Sequence, residues 1–118
     1  MKFLLIVLII LISTQNIKAE VNQLFIKNCA TCHSVQKGDK TLRAGPNLWG
    51  VVGRKAAAES SYTMYSDAIK KSGIVWNEEN LNKWLTNAGA FIPGTNMYYM
   101  QADESVRLTI IDYLKTLK

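Results

Sequence analysis

The sequence is poor in the residues that most catalytic and metal centres draw on. Its 118 residues include one histidine, two cysteines and two prolines. A single histidine excludes, within one chain, any centre that needs two. Two cysteines leave no second ligand pair for a zinc site. Basic residues outnumber acidic ones 14 to 9, yet no run of Lys or Arg is longer than the pair Lys70-Lys71. The clustered basic stripe of a nucleic-acid-binding domain is therefore missing. Also missing are an internal repeat, a low-complexity tract and any strand-like alternation of period two. What remains is an ordinary balance of 48% hydrophobic and 19% charged residues in a chain of single-domain length. That balance argues against disorder and against a multi-span membrane protein.

Apolar residues are concentrated at the start. Lys2 is followed by an uninterrupted apolar run over residues 3–12, then by Ser13, Thr14, Gln15 and Asn16, and then by Ile17-Lys18-Ala19. A spanning helix needs ~20 apolar residues, and this run is too short. A charged start, a short apolar stretch and a small residue at the end form the layout of a secretory signal peptide. The sequence predicts a signal peptide over residues 1–19, cut after Ala19, and one domain over residues 20–118. The cut removes Lys2 and Lys18 and lowers the formal charge from +5 to +3.

Helical periodicity recurs in four places. Val21, Leu24, Phe25 and Cys29 share one face, and Tyr62, Tyr65, Ala68 and Ile69 suggest a second, short helix holding Met64 as a packing residue. Asn77 is placed to cap a third, with Glu78 and Glu79 in the first turn, an apolar face of Leu81, Trp84, Leu85 and Ala88, and Gly89 closing it. Asp103 is placed to cap the last, whose face is Val106, Ile110, Tyr113, Leu114 and Leu117. Residues 36–60 and 90–102 read as irregular. The expectation is an all-α domain of about four short helices. Loops this long suit a compact domain only if they wrap something that is not protein.

The chemistry centres on Cys29-Ala30-Thr31-Cys32-His33. In a C-x-x-C-H run two thiols can add to the two vinyl groups of one haem, and the adjacent imidazole can ligate its iron. Three other readings compete. An exported pair of cysteines can form a disulfide, a C-x-x-C pair can be a thioredoxin-like redox centre in a βαβ setting, and the run can be half a zinc site. The missing strands and the missing second ligand pair weigh against the last two. For a sixth iron ligand the candidates are Met64, Met97, Met100, a lysine or an open position. Met97 follows the Pro93-Gly94 turn, where a loop can hold a thioether against a flat cofactor, whereas a methionine within a helix usually packs in the core.

These segments resemble the class I c-type cytochromes, of the mitochondrial and alphaproteobacterial kind. The resemblance rests on LFIKNCATCH, GPNLWGVVGRKA, YSDAIKKSGIVW, FIPGTNM and IIDYLKTLK, spread over nearly all of residues 21–118. It implies a small cytochrome c fold around one covalently attached haem c. Cys29 and Cys32 would carry the thioethers, His33 would be the proximal iron ligand and Met97 the distal one. The Pro46 carbonyl would accept a hydrogen bond from the outer nitrogen of His33. Arg54, Tyr65 and Trp76 would contact the haem propionates, and Thr95 would bond near one of them. Phe25 and Tyr113 match the packing of the first helix on the last.

The resemblance also marks departures. Val21 stands where a glycine is usual at the helix crossing, Trp84 where a tyrosine bonds the methionine sulfur, Ile69 where an asparagine lines an internal water site, and Tyr99 where a phenylalanine borders the haem edge. Gly89, Ala90 and Asn96 stand where eukaryotic relatives carry docking lysines, and Asp103 and Glu104 lie where lysines are common. The implied function is that of a soluble, periplasmic, monomeric carrier of single electrons, not an enzyme. It would run between a quinol-oxidising complex and a terminal oxidase or reductase, with redox proteins docking at the exposed haem edge. The alternative is a peroxidase-like haem enzyme with a labile Met97 bond, although no acid–base pair supports it. A third reading is a haem-free binding module closed by a Cys29–Cys32 disulfide.

Overall fold

The computed structural model describes residues 2–118, with side chains described from Ser13 onward. The apolar run of the expected signal segment, residues 3–12, therefore lies outside the described side chains. Five helices follow in order: α1 (Lys2–Asn28), α2 (Asp67–Ser72), α3 (Glu78–Thr86), α4 (Ala88–Phe91) and α5 (Glu104–Lys115). Among the described residues the only extended pairing is two isolated bridges, Lys55 with Val75 and Asn87 with Met100. The chain is all-α, as its periodicities predict. It divides into two compact units, Met1–Thr31 and Cys32–Lys118.

The first unit is essentially α1. Its last turn carries on into the cysteine motif: Cys29 and Ala30 both donate their N–H groups to the Phe25 carbonyl, at 2.8 and 3.2 Å. The Asn28 amide donates to Leu24 O at 2.8 Å.

In the second unit, α3 packs against α5 and α4. Leu81, Trp84 and Leu85 of α3 are buried, as are Ile110, Ile111 and Leu114 of α5. Each such side chain contributes ~1.5–3 kcal/mol when removed from water. The helix starts follow from short polar side chains that satisfy the orphan N–H groups of a first turn. Ser66 Oγ accepts from Ile69 N at 3.2 Å. Asn77 Oδ1 accepts from Asn80 N at 2.8 Å, and Asp103 Oδ1 from Ser105 N and Val106 N at 2.9 and 3.4 Å. Gly73, at φ 65°, ends α2 in the left-handed region that favours glycine.

Two local expectations are corrected. Gly89 does not close α3. Asn87 ends that helix, donating its N–H to Lys83 O, and its own side chain then accepts from Ala90 N to start α4, so Gly89 lies inside a short helix. Met64 is neither helical nor packed. The helix after it begins at Asp67 because Ser66 caps it, which leaves Tyr62, Tyr65 and an exposed Met64 in an irregular segment before it.

Candidate haem site

His33 is held from below by the segment that follows it. Its Nδ1 lies 2.7 Å from Pro46 O. A carbonyl can only accept, so the proton is on Nδ1 and the lone pair is on Nε2. Burial lowers the imidazole pKa, the Pro46 bond opposes this, and the charge of Arg54 lowers it further. The ring is thus neutral near pH 7, the form that ligates a metal. Main-chain bonds set the distance: Gly45 N donates to Cys32 O and Leu48 N to Ser34 O, each at 2.9 Å.

Gly45 is required here by contact rather than by backbone angle. A Cβ built on it would lie 2.6 Å from His33 Nδ1 and 2.8 Å from Nε2, and nearer still to Cε1. The imidazole rests flat against the backbone, which no side chain would permit. The resemblance assigns the accepting carbonyl to Pro46, whereas sequence reading gives Gly45 no role beyond its place in a loop.

Three of the four residues expected around the propionates come from neighbouring segments. Gly53 N donates to Trp76 O and Trp76 N to Arg54 O, both at 2.9 Å, which pairs the strand-like stretches carrying Arg54 and Trp76. Arg54 donates to Asn47 O at 2.9 Å and to Trp49 O at 3.3 Å, and stands 3.6 Å from the Glu59 carboxylate. Tyr65 senses the Arg54 charge: burial raises its phenol pKa and the guanidinium opposes the rise. Its ring meets that of Tyr62 edge-on, with centroids 4.7 Å apart, and Tyr62 donates to Ala44 O at 2.8 Å. Trp76 is buried against Trp84, with centroids 5.1 Å apart and planes at 52°.

Thr95 lies in a different place, within the loop that carries Met97. It is buried, its N–H donates to Ile92 O at 3.1 Å, and its Oγ1 accepts from Met97 N at 3.4 Å. Asn96 reaches across 32 residues to donate to Met64 O at 3.0 Å. Of the other methionines, Met100 is 71% exposed and Met64 46% exposed, whereas Met97 is half-buried. Among the described methionines, only Met97 combines shelter with a tethered loop.

The two cysteines are not joined in a disulfide. Among the described residues, no three His, Cys, Asp or Glu side chains converge as a metal cage would need. The chain offers the thiols of Cys29 and Cys32, and within the second unit one oriented imidazole, His33, and one half-buried thioether, Met97. That set fits a covalently attached haem.

Comparison with known proteins agrees. The family model for cytochrome c matches residues 19–118. The chain belongs to the class I cytochromes c. It is 46% identical over 94 residues to the cytochrome c of Theileria parva, which covers 79% of each chain. It is 44% identical over 100 residues to the cytochrome c2 of Rhodopila globiformis, covering 84% of this chain and 92% of that one. Among solved structures it is similar to cytochrome cH from Methylobacterium extorquens, with a TM-score of 0.71 and 37% identity over 83% of this chain and 96% of that one. This cytochrome is accordingly an electron carrier with one covalently bound haem c, and not an enzyme. Among the described residues no helix is long and apolar enough to cross a membrane.

Sequence reading missed two residues of this region. Glu59 beside Arg54 carries no motif. Arg107 is buried, donating to Asn82 Oδ1 at 2.8 Å, to Gln101 O at 2.9 Å and to Ala102 O at 3.0 Å. Its place on α5 reads from sequence as one more exposed charge.

Proposed function

We propose that Cys29 and Cys32 carry the thioether links of the haem, that His33 and Met97 are its axial ligands, and that the protein passes single electrons between respiratory partners. The observation that carries this reading is the bond from His33 Nδ1 to Pro46 O, which leaves Nε2 as the ligating atom. When bound, the haem would supply a one-electron iron couple, with His33 and Met97 as the residues that would hold the iron.

The chain's own groups have separable tasks. Pro46 O fixes the His33 tautomer and raises its donor strength. Thr95 and Asn96 hold the Met97 loop. Arg54, Tyr65 and Trp76 offer the charge and donors that buried propionates need, with Thr95 a further hydroxyl at the Met97 loop. A soft, half-buried thioether favours the reduced state, so the potential is raised.

Residues 1–19 are assigned to a signal peptide cut after Ala19, close to where the family match begins. The product is a soluble periplasmic monomer. It takes electrons from a quinol-oxidising complex and gives them to a terminal oxidase or reductase, each docking at the exposed haem edge. Gly89, Ala90 and Asn96 supply no positive charge there, and Asp103 and Glu104 supply negative charge. Association with partners should therefore weaken little between low and physiological salt. A steep loss of turnover over that range would contradict this.

The deciding experiment is an optical spectrum, oxidised and reduced, of protein matured with the c-type attachment machinery. Denaturation-resistant haem with an oxidised iron–sulfur charge-transfer band supports the ligand assignment. Haem without that band would reject Met97 and reopen the peroxidase reading. Protein without covalent haem would reject the proposal as a whole. Intact mass of the exported protein tests loss of residues 1–19.

A further inference from the structure

Arg54 is not a free cation awaiting a propionate. Its side chain is 15% exposed, two of its nitrogens already donate to main-chain carbonyls, and the Glu59 carboxylate stands 3.6 Å away at 28% exposure. Glu59 is itself fixed. Its Oε1 accepts from Ser61 Oγ at 2.7 Å and from Ser61 N at 3.1 Å, leaving Oε2 to face the guanidinium. The turn that presents it contains Ala57 at φ 61°, the one non-glycine residue with positive φ among the described residues. Such a conformation costs about 1–2 kcal/mol for an L-residue, and persists only where the surroundings over-determine it. The carboxylate is therefore held by its own loop and does not reach Arg54 by chance of side-chain rotation.

We infer that Glu59 is a redox-tuning residue, whose carboxylate partly neutralises Arg54 and so lowers the potential of the bound haem. The inference rests on the reading that Arg54 borders the haem propionates. The electrostatics have a definite sign. Oxidation of the centre adds one positive charge. A fixed cation nearby opposes that charge, and a fixed anion paired to the cation cancels the opposition. The pair is largely withdrawn from solvent, so screening is weaker than for surface charges. Hydrogen bonds from Ser61 and the Arg54 charge hold the Glu59 carboxyl below its ordinary range, so it stays ionised at neutral pH.

The test is a redox titration of the haem-loaded wild type, Glu59→Gln, Ser61→Ala and Glu79→Gln. Glu79 supplies the control, because it is an acid likewise paired to a cation, Lys83 at 2.8 Å, but exposed. Glu59→Gln should raise the midpoint potential with an unchanged visible spectrum. Ser61→Ala keeps the charge but frees the carboxylate, and should raise the potential by less. Glu79→Gln should shift it least. A Glu59→Gln potential that is unchanged, lowered or no higher than that of Glu79→Gln would overturn the inference. Should Glu59→Gln fail to fold, an unmoved potential in Ser61→Ala would do the same. Failure of the carrier reading is distinguishable in the wild type alone, which would then lack either covalent haem or the oxidised iron–sulfur charge-transfer band.

Discussion

The two expected axial ligands are held in different ways. His33 sits in a dense frame: a 2.7 Å bond to Pro46 O, a glycine packed flat against the ring, and two 2.9 Å main-chain bonds that join residues 32–34 to residues 45–48. Met97 sits in a loop tied on its near side by a 3.4 Å bond from its N–H to Thr95, a 3.1 Å bond within the turn and one exposed bond from Asn96 to Met64 O, and joined to the helices beyond it, where Ala88 N donates to Tyr99 O at 3.1 Å and Gln101 N to Leu85 O at 2.9 Å. Local stability follows the number and burial of such contacts. The imidazole side should therefore behave as a fixed wall and the thioether side as the part that yields first.

That contrast breaks most sharply at Gly45. Gly45→Ala places a methyl group within 3.0 Å of three His33 ring atoms, so the ring, held by Pro46 O, or the backbone must shift. We expect loss of the native ligation in most of the protein, together with a stability loss in the range of overpacked cores, ~1–3 kcal/mol or more. A spectrum and a melting curve check both. A wild-type spectrum would show that the frame around His33 is softer than its bonds imply.

Arg107 supports neither ligand directly, which makes it the reference for purely structural damage. Arg107→Met keeps much of the aliphatic stem of a buried side chain but strips donors from Asn82 Oδ1 and two carbonyls, all in part-buried bonds. The expected loss is about 2–3 kcal/mol, read by denaturant unfolding, with the iron–sulfur band and the potential nearly unchanged. A band lost without a loss of stability would place Arg107 in the ligand network instead.

Asn96→Ala sharpens the comparison from the other side. The Asn96 bond is exposed, so global stability should change by only ~0.5–1 kcal/mol. Its effect should appear in the loop: cyanide should displace Met97 severalfold faster, while exchange of amides around residues 45–48 stays as in wild type. Equal acceleration at both places would show that the two sides do not open separately.

The sequence made one side more legible than the other. Cys29, Cys32 and His33 announce themselves through a contiguous motif, and Pro46 through the resemblance carried by the segment that contains it. Asn77 and Asp103 were readable as caps because capping is local, and the α3 and α5 faces because burial repeats every three to four residues. The tether from Asn96 ends on a main-chain carbonyl 32 residues away, which no residue type encodes. Arg107 donates mainly to carbonyls, and Glu59 gains meaning only from where Arg54 is placed. Asn87 was unreadable as a double cap because both helices it serves are short. Pairings of this kind arise from tertiary placement and leave no periodic trace.

The smallest effect tests how the His33 frame responds to acid. Ser34, next to the ligand, is buried and donates its hydroxyl to Asp39 Oδ2 at 2.6 Å, while Thr41 N donates to Oδ1 at 2.9 Å. These bonds, the Ser34 hydroxyl first, hold the Asp39 carboxyl at about 2, below its ordinary 3.8. A carboxylate depressed in the folded state adds stability above its unfolded pKa and loses it as pH falls through the folded one. The contribution is thus complete above about pH 4 and is lost towards pH 2. Ser34→Ala removes the main cause, so the Asp39 carboxyl should titrate nearer its ordinary value and the acid-unfolding midpoint should move up slightly. Both Asp39 bonds run to residues 34 and 41, on the imidazole side, so the iron–sulfur band should not follow Asp39 in its titration. If the band and the Asp39 carboxyl titrate together, the two sides are coupled and the fixed-wall picture of the imidazole side is wrong.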